Sequence, residues 1–350
     1  MKRRNFLTAT AAGAAFASLL AGAATAQESI TLRFHQFLAP VAPLPAHAFK
    51  PWAEELAAAS DGRIQIQHFD GMALGGRPPE LIDQARDGVV DISMSLVGYT
   101  PGRFPRSEVF ELPFIMDNSI ATSLAFQQMI EEDFAENEFS DVKVLAGWVH
   151  GPGLIHSEDP IEKLEDMQGK TMRGPTRIIN DLLSELGAEP VGMPLPAIPE
   201  ALSKGVINGT VVPWEVTPSI RLSELVDNHT EFGGDKALYT ATIVMVMNQQ
   251  AYDNMPEDLR AIFDEHIGAG MVQDFAQVMV DYDAPGRQIA VDAGNTIIEL
   301  DQAEVDRWID ASQPVYDRWI ADMEGQGIDG QALIDRAREL IAEKNAELGN

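Results

Sequence analysis

The feature that most restricts the fold is a switching hydrophobic period, from two to 3.6 and back, repeated to about residue 250. Residues 29–34 set Ile30, Leu32 and Phe34 on one side of an extended chain, as a half-buried strand requires. Residues 44–60 then place Phe49, Trp52 and Leu56 on one helical face. Residues 63–69 alternate again, and 77–88 reads as a helix with proline in its first turn and Gly88 just past its end. A strand at 89–96, a helical stretch from about 115 to 136 and a strand at 142–149 continue the pattern. A brief strand at 170–173 leads into a helix at 176–187, where Ile179, Leu182, Leu183 and Leu186 turn inward and Gly187 ends it. Strand 189–194, helix 197–205 and strand 209–216 follow.

Repeated strand–helix–strand units predict an α/β protein with mostly parallel sheets covered by helices. Ligands of such sheets sit beyond the carboxyl ends of strands. The ends to inspect are 34–37, 95–99, 148–153, Arg173 and 213–215. Residues 239–248 are almost entirely apolar, as a strand covered on both faces is. The remainder reads as helical: one long helix from about Pro256 past Met279, another at 301–323, and an amphipathic one near 331–348.

The first 26 residues read as an export leader. Lys2, Arg3 and Arg4 precede an apolar stretch rich in small residues, and Ala24–Ala26 supplies an A-x-A cleavage site. Residues 3–7 also fit a twin-arginine signal. The expected location is the periplasm, without direct membrane insertion. The sequence has no cysteine, so no disulfide framework or thiolate site is available. A net charge of −29 becomes three charges more acidic when the leader goes. That balance argues against nucleic acid, whose phosphates demand clustered Lys and Arg. An anion site in such a chain has to be a local exception.

No catalytic constellation presents itself. There is no G-x-S-x-G, H-E-x-x-H, Walker loop or G-x-G-x-x-G, and the seven histidines lack metal-ligand spacing. The expectation is a non-enzyme without metal or cofactor. What gathers at the strand ends is a set of aromatics, Phe37, Tyr99, Trp148 and Trp214, together with Arg173. Each aromatic alone reads as packing, and Arg173 alone as a surface ion pair; jointly they suggest a pocket. Arg177, one helical turn on, has the stronger claim to a surface role.

These residues also carry a resemblance. Residues 53–76, the G-x-x-D strand start in 84–95, Phe110–Met116 with its E-L-P-F, residues 161–176 and residues 186–209 stand in the order and spacing of a known family. The chain resembles the DctP-type solute-binding proteins of tripartite ATP-independent periplasmic (TRAP) transporters, from about Ile30 to Leu340. The resemblance implies a two-lobe periplasmic-binding-protein fold with mixed sheets flanked by helices, the lobes joined by crossing strands and a long spanning helix. Lobe I would comprise 27–150 plus about 239–278, and lobe II 151–238 plus about 279–350 with the C-terminal helices. It implies capture of a small organic acid and delivery to membrane permease subunits. Arg173 takes the position of the family's carboxylate-binding arginine, whose guanidinium fork grips two oxygens.

Departures bear on the ligand. Gly153 stands where the sialic-acid branch has another arginine, and Val211-Val212 where the 2-oxo-acid branch has a Glu-Trp pair that helps hold a metal. The common Asp-Gly is Asn208-Gly209. With Trp148, Trp214, Phe37 and Tyr99 as walls and Gln36 and His150 as polar partners, the expected ligand is an aromatic or otherwise hydrophobic monocarboxylate. A C4-dicarboxylate, 2-oxo acid or sugar acid is the alternative, as is a sensory module, an ATP-driven importer's binding protein or, less so, an exported enzyme on such acids.

Overall fold

A computed structural model describes residues 28–233 and 237–349; the leader reading falls on 1–26, outside the described residues. Eleven strands form among them: β1 Ile30–Gln36, β2 Ile64–Phe69, β3 Ile92–Leu96, β4 Lys143–Val149, β5 Leu154–Ser157, β6 Thr171–Gly174, β7 Glu189–Gly192, β8 Gly209–Val212, β9 Asn228–Phe232, β10 Thr242–Met247 and β11 Thr296–Leu300. They make two sheets, ordered β2-β1-β3-β10-β4 and β11-β9-β5-β8-β6-β7.

Both sheets are mixed, and for one reason. The chain leaves the first sheet after β4, passes through residues 150–153 and enters the second as β5. It returns after β9 and re-enters the first as β10. Each re-entering strand runs against its neighbours: β10 is antiparallel to β3 and β4, and β5 to β8 and β9. The βαβ pairs β1–β2, β1–β3, β6–β7 and β6–β8 are parallel, as the alternation predicts. The two crossing segments lie side by side: the Gly153 N–H donates to Tyr239 O at 2.9 Å and the Thr240 hydroxyl to His150 O at 2.7 Å. All of β10 is buried, as its apolar run requires.

Helices cover the sheets where the period predicts them. Lys50–Ala59 turns Trp52 and Leu56 inward. Ser119–Met129 is capped by Asn118, whose side-chain oxygen accepts the Ala121 N–H at 2.9 Å. Arg177–Glu185 begins at a Thr176 cap and ends before Gly187, whose φ of 93° suits only glycine.

Three strands and one break depart from the sequence reading. β5 and β9 are short and partly polar, and β11 follows the long helix in a region read as helical throughout. The expected single helix from Pro256 is two, Glu257–Asp264 and Ala269–Asp292. Gly268 separates them at φ 77°, and its N–H is spent on Leu145 O at 2.8 Å. The second of these helices spans both sheets, with Met279 in the space between them and Gly286 pressed against the Trp214 carbonyl, where no Cβ would fit. The expected place of the last helix, Gly330–Leu348, is with the second lobe. It packs instead on the first, where Arg336 pairs with Glu132 at 2.8 Å and Leu340 and Ile341 join the cluster of Phe126 and Met129. No helix of the described residues is long and apolar enough to cross a membrane.

Candidate functional site

A cavity opens between the sheets at the strand ends, about 550 Å³ counting its mouth. Met94 and Leu96 of β3 and Ile243 of β10 wall one side, and Val212 of β8 and Arg173 of β6 the other. Its lining is mostly apolar with a few polar groups, as small-molecule sites are.

Arg173 is the exceptional wall residue. It stands one position from the end of β6, before Gly174-Pro175 turns the chain into a helix. Only 2 % of it is exposed, yet it forms no ion pair with any described carboxylate. Its Nε donates to Met193 O at 2.8 Å and its Nη1 to Val211 O at 3.0 Å. Those bonds fix the guanidinium plane and leave further N–H donors of its five. Burial pulls its pKa below the ordinary arginine value, against the opposing pull of Tyr99 and Tyr239. An arginine still holds its proton at neutral pH, so the cavity carries one uncompensated positive charge.

Tyr99 and Phe37 stand together, ring centres 5.4 Å apart. The Tyr99 hydroxyl accepts the Leu195 N–H at 3.0 Å, a bond that crosses from one sheet's side to the other's. Burial raises the Tyr99 pKa. His150, in the first crossing segment, stacks edge-on to Tyr239 at 5.1 Å. Its Nδ1 lies 2.6 Å from Gly151 O, which can only accept, so Nδ1 carries the proton. Burial lowers its pKa to about 4, and nearby Arg173 adds to that. The ring is therefore neutral at pH 7 and presents Nε2 as an acceptor.

Of the seven residues singled out from sequence, Arg173, Phe37, Tyr99 and His150 line this cavity. Trp148, Trp214 and Gln36 do not. Trp148 is fully buried behind the sheet between Phe49 and Phe275, at 6.4 and 5.3 Å. Trp214 starts the turn after Pro213 and points the other way, its indole N–H on Glu231 at 2.7 Å and its ring against His156 and His229. Gln36 bonds the Leu38 backbone and Asp70, shaping the loop that carries Phe37. Sequence period alone cannot tell which side of a strand end a side chain takes once a turn intervenes.

Two polar wall residues escaped the sequence reading, Tyr239 and Glu215. Glu215 sits in a strand end already flagged, beside the conspicuous Trp214. Its backbone N–H donates to Asp283 Oδ1 at 3.0 Å, while its carboxyl has no hydrogen-bond partner among the described residues. Burial, with Asp283 nearby, pushes its pKa well up. Gly153, the position of an arginine in the sialic-acid branch, lies flat on Tyr239, where even a Cβ would overlap the ring. No group of three His, Asp or Glu among the described residues is placed to hold a metal ion.

The pattern of the family described as "Bacterial extracellular solute-binding protein, family 7", DctP, matches residues 35–322. The chain belongs to this family. A TRAP solute-binding protein from Rhodoferax ferrireducens, solved with copurified benzoate, superposes at a TM-score of 0.90 with 45% identity, covering 92% of this chain and 100% of that one. A marine-metagenome TRAP solute-binding protein specific for aromatic acids, solved with 3-hydroxybenzoate, gives 0.89 with 41% identity over 91% and 100%. One from Bordetella bronchiseptica, with bound mandelate, gives 0.82 with 26% identity over 90% and 99%. These similar family 7 proteins bind solutes, and the resemblance read from the E-L-P-F segment and the Arg173 region is to the same group.

Proposed function

We propose that this family 7 protein captures an aromatic monocarboxylate in the periplasm and delivers it to the permease subunits of a TRAP transporter. The observation that carries the reading is Arg173, a buried cation facing an apolar cavity with no acidic partner among the described residues. A buried charge without a partner costs several kcal/mol. A ligand carboxylate supplies the missing charge and two parallel hydrogen bonds. One cation matches one carboxylate, and a second would be left in an apolar wall. Phe37 and Tyr99 give the rest of the ligand a flat aromatic surface. The benzoate, 3-hydroxybenzoate and mandelate held by similar proteins agree in class.

Binding couples to hinge closure. Lobe I is 27–150 with about 239–278, and lobe II is 151–238 with about 279–350 apart from the last helix. They pivot on the paired crossings at 150–153 and 239–241. The Tyr99–Leu195 bond and the shared cavity bring residues of both lobes together, so a ligand touching both favours the closed state.

Native mass spectrometry of the purified protein, followed by a thermal-shift panel, tests this. Benzoate and hydroxybenzoates at a hundredfold excess over Kd stabilise by about 2.7 kcal/mol, several degrees in the melting midpoint. Succinate and sugar acids give no shift. Stabilisation by C4-dicarboxylates alone overturns the reading.

A further inference from the structure

Once a carboxylate has taken Arg173, with the Tyr99 and Tyr239 hydroxyls beside it, two polar groups of the cavity wall remain, His150 and Glu215. His150 has its tautomer fixed by Gly151 O and offers only the lone pair of Nε2. Glu215 offers a carboxyl that nothing among the described residues pairs, although only 6 % of the residue is exposed. Both belong to the cavity wall, whose other members are mostly apolar side chains such as Leu44, Val216 and Met279. A plain hydrocarbon ring would bury them without hydrogen bonds, which a folded protein avoids.

We propose that Glu215, with His150, sets the specificity of the cavity and selects aromatic monocarboxylates that carry a hydroxyl. This rests on the aromatic-acid reading above and narrows it. A hydroxyl answers either residue: it can donate its proton to His150 Nε2 or exchange a hydrogen bond with the Glu215 carboxyl. The high pKa of Glu215 suits the role, because a protonated carboxyl donates as well as accepts. Sites built to hydrogen-bond a hydroxyl discriminate strongly against the analogue lacking it, since the wall groups are then left unpaired.

Isothermal titration of benzoate and of 2-, 3- and 4-hydroxybenzoate gives the test, read as a ratio within each protein so that general losses cancel. In the wild type at least one hydroxybenzoate binds roughly tenfold or more tighter than benzoate. Glu215→Met brings that ratio toward one, and Glu215→Gln, which keeps donor and acceptor, preserves most of it. His150→Phe lowers the ratio independently. Melting of the ligand-free variants checks that each is folded. Equal affinity for benzoate and all three isomers, or a ratio untouched by both Glu215→Met and His150→Phe, overturns the proposal while leaving the aromatic reading standing. If no member of the series binds, both fall together.

Discussion

Arg173 stands one residue from the end of a strand and Arg177 opens the next helix, four positions later, yet their surroundings are opposites. Arg177 is half-exposed and pays its charge off locally. Its guanidinium grips both oxygens of Glu108 and reaches Asp322 at 2.7 Å, and the paired charges hold its pKa above the ordinary value. Arg173 is deeper and meets only carbonyls. Glu108 belongs to the first-sheet side, so the Arg177 charge is met across the two halves by the protein itself, while Arg173 waits for a charge from outside. The contrast teaches that a cation's role follows from its counterions, not from its place in a basic stretch.

The largest expected effect separates the two. Arg173→Ala should fold and lose about 2–5 kcal/mol of binding, roughly 30- to 5,000-fold in Kd for an aromatic carboxylate. Arg173→Lys recovers only part, because a point charge cannot reproduce the fork. Arg177→Ala should leave Kd within a few-fold. Titration calorimetry on the three variants decides it, and an Arg173→Ala protein of unchanged affinity breaks the comparison.

The reverse holds for stability. Removing Arg177 leaves Glu108, 5 % exposed, with only the Trp319 indole N–H at 3.2 Å. Breaking a buried pair in this way costs 3–5 kcal/mol, and the partial exposure of Arg177 reduces that to about 2–3 kcal/mol. Burial already pushes the Glu108 carboxyl up against the pull of Arg177. Denaturant melts should show the loss in Arg177→Ala and almost none in ligand-free Arg173→Ala, whose arginine has an unmet charge to lose.

How far the site was legible follows from the same residues. Period and turn chemistry placed eight of the eleven strands among the described residues, but only half of the second sheet, and put Arg173 at a carboxyl end. They could not reveal that Arg173 lacks a partner, because its partners would come from segments far away in sequence. They missed β5, β9 and β11, whose few residues pair with distant strands and so carry no local period. They overvalued tryptophan: Trp148 and Trp214 stand at strand ends but turn into the cores on either side. They passed over Glu215 because acidic residues are abundant in this chain, and only burial makes one of them informative.

A smaller effect sharpens that point about the walls. Phe37→Ala should weaken binding of an aromatic acid by about 1–2 kcal/mol, roughly five- to thirtyfold, from lost stacking and contact area. Trp214→Phe keeps the packing against His156 and His229 and should change Kd by less than about twofold, at some cost in melting midpoint from the lost bond to Glu231. A Trp214→Phe variant that binds as poorly as Phe37→Ala would put the indole back in the site.

Acid should set the two neighbourhoods against each other. On the Arg173 side, His150 has a folded pKa of about 4 against 6.5 in the unfolded chain. The unfolded state then binds more protons between those values, so this contribution to stability is complete above pH 6.5 and is lost as pH falls toward 4. On the Arg177 side, Glu111, beside Glu108, is held up to about 7 by burial although it accepts from Thr242 at 3.1 and 2.9 Å. Here the folded state binds more protons between about pH 4.5 and 7, so its contribution is complete below 4.5 and is lost as pH rises through 7. Melting midpoints taken from pH 4 to 7.5 on the wild type, His150→Asn and Glu111→Gln should therefore diverge in opposite directions. Relative to wild type, His150→Asn gains as pH falls and Glu111→Gln gains as pH rises, each by at most about 3 kcal/mol. Parallel curves for all three proteins would mean that neither group is held away from its ordinary pKa by the fold.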